Sequence, residues 1–276
     1  MSRSAWTYQT REKWPWLFEL ARTFLHEAYA LSARVTLDQR DAERSICVLL
    51  FGRAVSGTEA LVTLAASGFL IEADIVFRSN LEALFRLAAL VEEPKLLSRY
   101  LGEDYPRRRR AMGDLRELLS GIDPRPPGAP SDCDIDNAIR EIEQEAKEFQ
   151  DTHDVAKLRE VKTWDWVVAG GQFDFFFGKY LMHSNVVHHA ARDLERRIDV
   201  REDGQGLKAI YMGIEQESPV EIVLDGLLLL ARCIDKFAKA VDEEVSDALR
   251  EARAELDKRF DVEHAVRGDH ADRACT

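Results

Sequence analysis

Residues 70–92 read LIEADIVFRSNLEALFRLAALVE. Ile71, Ile75, Val76, Leu81, Leu84, Phe85, Leu87 and Leu90 cover more than one face of a 3.6-residue helix. A helix that is apolar around most of its circumference belongs at the centre of a bundle, where neighbours cover every side. Gly68 precedes the stretch and Pro94 follows it, so its ends are marked by turn formers. A central helix of this kind calls for a ring of amphipathic helices around it.

The flanking sequence supplies that ring. From about Pro15 to Val35, Leu17, Leu20, Ala21, Phe24 and Ala28 recur at helical spacing, with Pro15 suited to a first-turn position. A second helix is predicted from near Asp38, as N-cap, to near Gly68; Gly57 and Gly52 within it mark close packing or a bend. Pro94 opens a fourth helix toward Leu119, interrupted around 102–106. Four prolines and two glycines make 121–130 a surface loop. A charged helix is predicted over about 135–162, with Ile135, Ile139, Ile142, Ala146 and Phe149 as its stripe. After Trp164, Trp166 and the Gly170-Gly171 stop, a helix over 172–198 carries Phe173, Phe177, Tyr180, Ser184, Val187, Ala191 and Leu194 at four-three spacing, which places them on one buried face. In the polar segment that follows, Leu207 to Met212 can pair as a short strand. Ser218-Pro219-Val220-Glu221 reads as a capping box opening a last helix toward Phe260. The expected fold class is all-α, a bundle of six or seven helices in a single domain over residues 1–262, with the surface loop 121–130 and a polar, disordered tail at 263–276.

Composition agrees and narrows the function classes. Of 276 residues 46% are hydrophobic and 32% charged, enough apolar material for a core, and 15 glycines with 8 prolines leave few turns. The net charge is −12, which repels phosphate backbones and anionic membranes on average. The one concentrated basic run, Arg107-Arg108-Arg109-Arg110, is read as a solvated helix face in preference to a phosphate patch. Cys47, Cys133, Cys233 and Cys275 are far apart and lack metal-ligand spacing, so reduced thiols and a cytoplasmic location are expected. The most apolar run, Ile222 to Ile234, is broken by Asp225 and Arg232, so no membrane span is expected, and the N-terminus has no signal-type apolar core.

Two constellations can carry chemistry. Asp74, Arg78, Glu82 and Arg86 lie four apart, an alternating-charge ladder along the central helix. It is either that helix's wet face or a paired polar network inside the bundle. The second is the histidine-rich run His183, His188 and His189, where Ser184 and His188 are four apart and Arg192 lies one turn on. The bland reading has Ser184 bonded to the carbonyl one turn back and His188 at the core edge. A metal site is disfavoured, since histidines five apart share a face poorly. A Ser nucleophile lacks a Gly-x-Ser-x-Gly elbow. The remaining reading is metal-free phosphodiester cleavage, with His188 as general acid or base and Arg78 or Arg192 on the phosphate.

Arg78-x-x-x-Glu82 in an apolar helix, followed by Tyr180-x-x-x-Ser184-x-x-x-His188, resembles the bacterial family called domain of unknown function 5677. The likeness implies a helical fold and marks Arg78, Glu82, Ser184 and His188 as site positions, without an activity. A looser likeness is to helical HEPN proteins, many of them metal-independent ribonucleases of toxin–antitoxin and phage-defence systems. Those place an Arg four to six residues before a His; here no Arg stands at that distance before His188, so Arg78 would come from another helix. The function expected is a defence or stress effector acting on RNA or a nucleotide-like phosphate at Arg78, Glu82, Ser184 and His188, with no cofactor and no metal. The alternative is a non-enzymatic helical scaffold that binds a partner protein. Partners compatible with the sequence are RNA or a nucleotide, a protein such as an antitoxin, and further copies of the chain.

Overall fold

A computed structural model describes residues 3–36, 41–187, 198–201, 206–210 and 218–274. The fold is all-α. Its helices are α1 (Arg3–Lys13), α2 (Pro15–Arg34), α3 (Ala42–Ala66), α4 (Leu70–Glu92), α5 (Leu97–Gly102), α6 (Asp104–Ser120), α7 (Asp132–His153), α8 (Thr163–Gly170), α9 (Phe173–Phe175), α10 (Leu181–Val187), α11 (Val220–Val241) and α12 (Asp247–Ala274). A π turn, Phe176–Tyr180, joins α9 to α10. The number exceeds six or seven because α1 was not anticipated, and because expected continuous helices are broken through 154–162 and at Asp242; the interruption expected around 102–106 falls at Glu103 and divides α5 from α6. A short antiparallel ribbon pairs β1 (Ile198–Val200) with β2 (Leu207–Ile210), as the apolar run there allows.

The central helix has the bounds read from the sequence. Thirteen of its residues are buried, among them Phe77, Leu81, Leu84, Phe85 and Leu90, and it packs against α3, α8, α10 and α11. Close approach to α3 is possible because Gly57 has no side chain; a Cβ there would collide with the Asn80 amide. At the C-terminus of α8, a Cβ on Gly170 would lie 2.8 Å from the Ala88 Cβ and 2.9 Å from the Ala89 nitrogen. Gly171 then ends α8 at a φ of 65°. By length and composition alone α3 could cross a membrane, but its Phe51, Ala54 and Leu61 are packed in the core.

Side-chain caps start α3 and α7. Asp41 caps α3 by accepting from Arg44 N at 2.8 Å, whereas Asp38 lies outside the described residues. Ser131 and Asp134 form a capping box that starts α7, and Ser218 Oγ accepts from Val220 N at 3.3 Å at the head of α11. α7 lays Ile135 and Ile142 inward, as its stripe requires. The last helix, α12, runs on to Ala274 through the segment expected to be a disordered tail. Its first half carries bonded pairs three and four apart, Arg250 with Asp247 and Arg259 with Glu255. Polar composition with that spacing favours a charged helix as readily as disorder.

Candidate functional site

The π turn changes which face of residues 173–187 meets the core. A π turn closes with five-residue rings, so each residue advances less around the axis and a four-three stripe rotates off its target. The expected burial of the whole stripe is therefore corrected: Phe173 is 43% exposed and Phe177 59% exposed, while Phe175 is buried and Phe176 and Tyr180 are partly so. What the π turn presents to α4 is Tyr180, and then Ser184 one turn on.

Arg78 on α4 is the hub. Its Nε donates to Ser184 Oγ at 3.0 Å and its Nη1 to Glu82 Oε1 at 2.8 Å. Its guanidinium carbon stands 3.4 Å above the Tyr180 ring centroid, a cation–π stack. That ring is itself stacked on Phe176 at 5.1 Å and tilted against Phe85 at 5.5 Å, and its hydroxyl donates to Thr163 Oγ1 at 3.2 Å. Four elements thus fix one guanidinium: α4, α8, the π turn and α10. The Arg78 side chain is only 13% exposed, so the ladder is a paired network set into the helix packing and not a wet stripe. The network continues: Glu82 Oε2 accepts from Arg86 Nη1 at 3.2 Å, and Glu103 sits between Arg86 and Arg107, at 3.8 and 3.2 Å. Burial raises the pKa of Glu82, but the Arg78 and Arg86 guanidinia outweigh it and hold the carboxyl below its usual range. In Glu103 the balance is reversed; burial wins over Arg86 and Arg107 and pushes the carboxyl up.

Ser184 is committed as well. Its Oγ donates to the Tyr180 carbonyl at 2.8 Å while accepting from Arg78, the back-bond expected of a helical serine. Its proton points at a carbonyl and not at a base. Ser184 positions Arg78 and is not set up as a nucleophile. The Arg78 Nη2 is different: among the described residues it has no hydrogen-bond partner.

A second polar group lies alongside. His183 Nδ1 approaches Asp74 Oδ1 at 3.3 Å, with its ring edge-on to Phe77 at 4.8 Å. Lys179 Nζ donates to Asp225 Oδ2 at 2.7 Å, reaching from the π turn to α11. Asp225 is buried and among the described residues its Oδ1 has no hydrogen-bond partner; burial pushes its carboxyl up even against Lys179. Among the described residues no group of three or more His, Cys, Asp or Glu side chains could hold a metal ion.

Of the residues expected from the sequence, Arg78, Glu82 and Ser184 come together. His188 and Arg192 lie outside the described residues. Sequence reading missed three partners. Tyr180 was placed on the stripe but not under Arg78, although it stands four before Ser184. The His183–Asp74 pair was not read: the sequence put Asp74 on the Arg78 ladder and His183 next to Ser184 but did not join them. Asp225 was read only as a charge interrupting an apolar run. The arginine run proves to be a clamp: Arg108 bonds Glu145, Arg109 bonds Glu143 and Arg110 bonds Glu160, at 2.7, 2.8 and 3.1 Å. It holds α6 against α7, and its charge is already met.

A family model described as a family of unknown function, DUF5677, matches residues 44–206, more than half of the chain. The chain belongs to the DUF5677 family. The matched span begins within α3 and contains Asp74, Arg78, Glu82, Tyr180, His183 and Ser184, so the polar seam lies wholly inside the DUF5677 region. Helices α1, α2, α11 and α12 lie outside it, and with them Asp225. No curated protein and no solved structure matches the chain.

Proposed function

We propose that this DUF5677 protein binds a phosphate group of RNA or of a nucleotide at Arg78, and that a histidine beside it moves protons in phosphodiester chemistry without a metal. The observation that carries the reading is the state of the Arg78 side chain: Nε and Nη1 are tied to Ser184 and Glu82, the face is stacked on Tyr180, and Nη2 has no hydrogen-bond partner among the described residues. A guanidinium held in this way loses little freedom on meeting an anion, and its planar fork suits phosphate oxygens. The π turn adds support, since such turns recur where helices serve a site.

For the proton transfers two histidines are available. His188 is the one marked by the Tyr180-x-x-x-Ser184-x-x-x-His188 spacing. His183 has an orienting carboxylate, Asp74, on one ring nitrogen, which leaves the other nitrogen for chemistry. In the reaction the base removes the ribose 2′-hydroxyl proton and O2′ attacks phosphorus. The P–O5′ bond breaks, and the leaving oxygen takes a proton from the conjugate acid. A cytoplasmic defence or stress effector is the class this chemistry fits; the free thiols of Cys47, Cys133 and Cys233 support that compartment.

A second reading rests on the charge balance of the same seam. Arg78, Glu82, Arg86, Glu103 and Arg107 alternate in sign and pair in sequence, the arrangement of a structural latch in a helical scaffold. The two readings part on one experiment. Cleavage and binding of a short single-stranded RNA are measured in the presence of EDTA, for wild type and for Arg78→Ala and His183→Ala, with the fold of each checked by circular dichroism. The phosphate reading expects metal-independent activity that Arg78→Ala abolishes in a folded protein. RNA binding and cleavage that are absent in wild type, or unchanged in a folded Arg78→Ala, contradict it and leave the latch.

A further inference from the structure

The π turn that buries Tyr180 turns another set of side chains outward. Trp164 and Val168 of α8, Phe173, Phe177 of the π turn, and Leu181 and Met182 of α10 are all exposed. Trp164 is packed edge-on with Phe173 at 5.7 Å, Phe176 at 5.2 Å and Phe177 at 5.8 Å, so the aromatic members form one contiguous, preassembled cluster. With ~150–250 Å² of surface per large side chain, their exposed fractions sum to an apolar patch on the order of 500 Å². That is the scale of the apolar centre of a standard interface burying ~800 Å² per partner.

We infer that this face is the self-association surface of the protein, and that its occupant is the same face of a second copy. Charge argues for it. Each copy carries −12, so two chains repel across most of their surfaces. Here the repulsion is reduced, because Lys162 and Asp165 beside Trp164 are opposite in sign and the other charges at the patch are paired. Asp174 is paired with Arg232 at 3.2 Å, and Lys179 is turned inward onto Asp225 at 2.7 Å. A neutral apolar patch has no sign to match, so it meets its own image as well as any other surface, the condition for a twofold contact. Shape argues for it too. Phe173, Phe177 and Leu181 make an outward ridge at four-residue spacing, and beside it Gly178 is exposed, with open space where a Cβ would stand. A ridge next to a glycine notch on one helix is self-complementary when the second helix runs antiparallel across a twofold axis. The contact helix is the one that carries Tyr180 and Ser184, so the second copy would lie along the outer side of the Arg78 seam. The inference stands on exposed apolar geometry and does not depend on the phosphate reading.

Sedimentation velocity of the full chain across the micromolar range tests it. Wild type is expected to show a concentration-dependent species of twice the chain mass. Phe177→Asp and Leu181→Asp, both at exposed positions, are expected to weaken association at least about tenfold with helicity and melting behaviour retained. Should either aspartate variant misfold, Gly178→Cys in a background with Cys133→Ser and Cys275→Ser gives an independent reading: mild oxidation is expected to produce a covalent dimer. A wild type that stays monomeric throughout overturns the proposal, whatever other protein or surface the patch then takes. A dimer untouched by a folded Phe177→Asp or Leu181→Asp, or a Gly178→Cys chain that never cross-links, overturns it as well.

Discussion

Arg78 is held by a hydroxyl, a carboxylate and an aromatic face; Glu82 lies four residues from Arg78 itself, and Tyr180 four residues from Ser184. That is why Arg78, Glu82 and Ser184 were legible in the sequence: i,i+4 spacing survives folding whatever the helix packs against. The grouping around Tyr180 and His183 was not, because which face turns inward depends on the π turn, and nothing in a hydrophobic pattern marks a five-residue ring. Two outcomes belong to single residues. Arg78→Lys keeps the charge but loses the Nε bond to Ser184 and the planar stack on Tyr180, so it is expected to fold and to bind RNA at least about tenfold more weakly, measured by fluorescence anisotropy. Gly170→Ala puts a methyl against the Ala88–Ala89 backbone of α4, and urea unfolding is expected to show a loss of about 1–3 kcal/mol.

At the scale of elements, the apolar contribution was the readable one. α4 was visible to the residue because an all-round apolar helix admits no other place than the centre, and Ser218 marked the head of α11; Asp41 and Ser131 cap α3 and α7 by side-chain chemistry, but those starts were set at Asp38 and about 135. The break at Asp242 was not visible, since a hydrophobic pattern does not mark the left-handed conformation, φ 57°, in which that residue ends α11, whereas the break at Glu103 falls inside the interruption expected around 102–106. One charged contact between elements has a definite pH signature. Glu92, at the end of α4, accepts from Lys236 and Lys239 of α11 at 2.7 and 2.8 Å, and these bonds lower its pKa to about 2. An unfolded Glu titrates near ~4.3, so this contribution is complete above that pH and is lost as pH falls through about 2. Glu92→Gln is therefore expected to lower the melting temperature at neutral pH and to match wild type near pH 2, by calorimetry across that range. The α6–α7 clamp is more exposed and should count for less: Arg109→Ala is expected to cost less than about 1 kcal/mol, because an exposed pair gains little over solvation.

At the scale of the whole molecule, three buried helices, α3, α4 and α11, form a core to which the other helices attach, and the DUF5677 span ends before α11. The core is thus completed by sequence outside the family region, and Lys179–Asp225 is one of the polar links between the two, beside Glu92 with Lys236 and Lys239 and Asp174 with Arg232. The Lys179–Asp225 link pins the π turn, and the π turn sets both the inward Tyr180 and the outward Phe177. Lys179→Met is accordingly expected to loosen the 173–187 segment, seen as faster amide exchange there with little change in α3 and α4. The acidic surface argues that any nucleic acid is engaged at one recessed cation and not along a basic groove. The most direct test of that claim is nuclear magnetic resonance of the arginine side-chain nitrogens during titration with adenosine monophosphate. The account predicts that the Arg78 signal shifts saturably while that of exposed Arg109 does not, and that the Arg78 shift is lost in Glu82→Arg. An Arg78 signal that stays fixed while wild type is folded and the nucleotide is in large excess would contradict it.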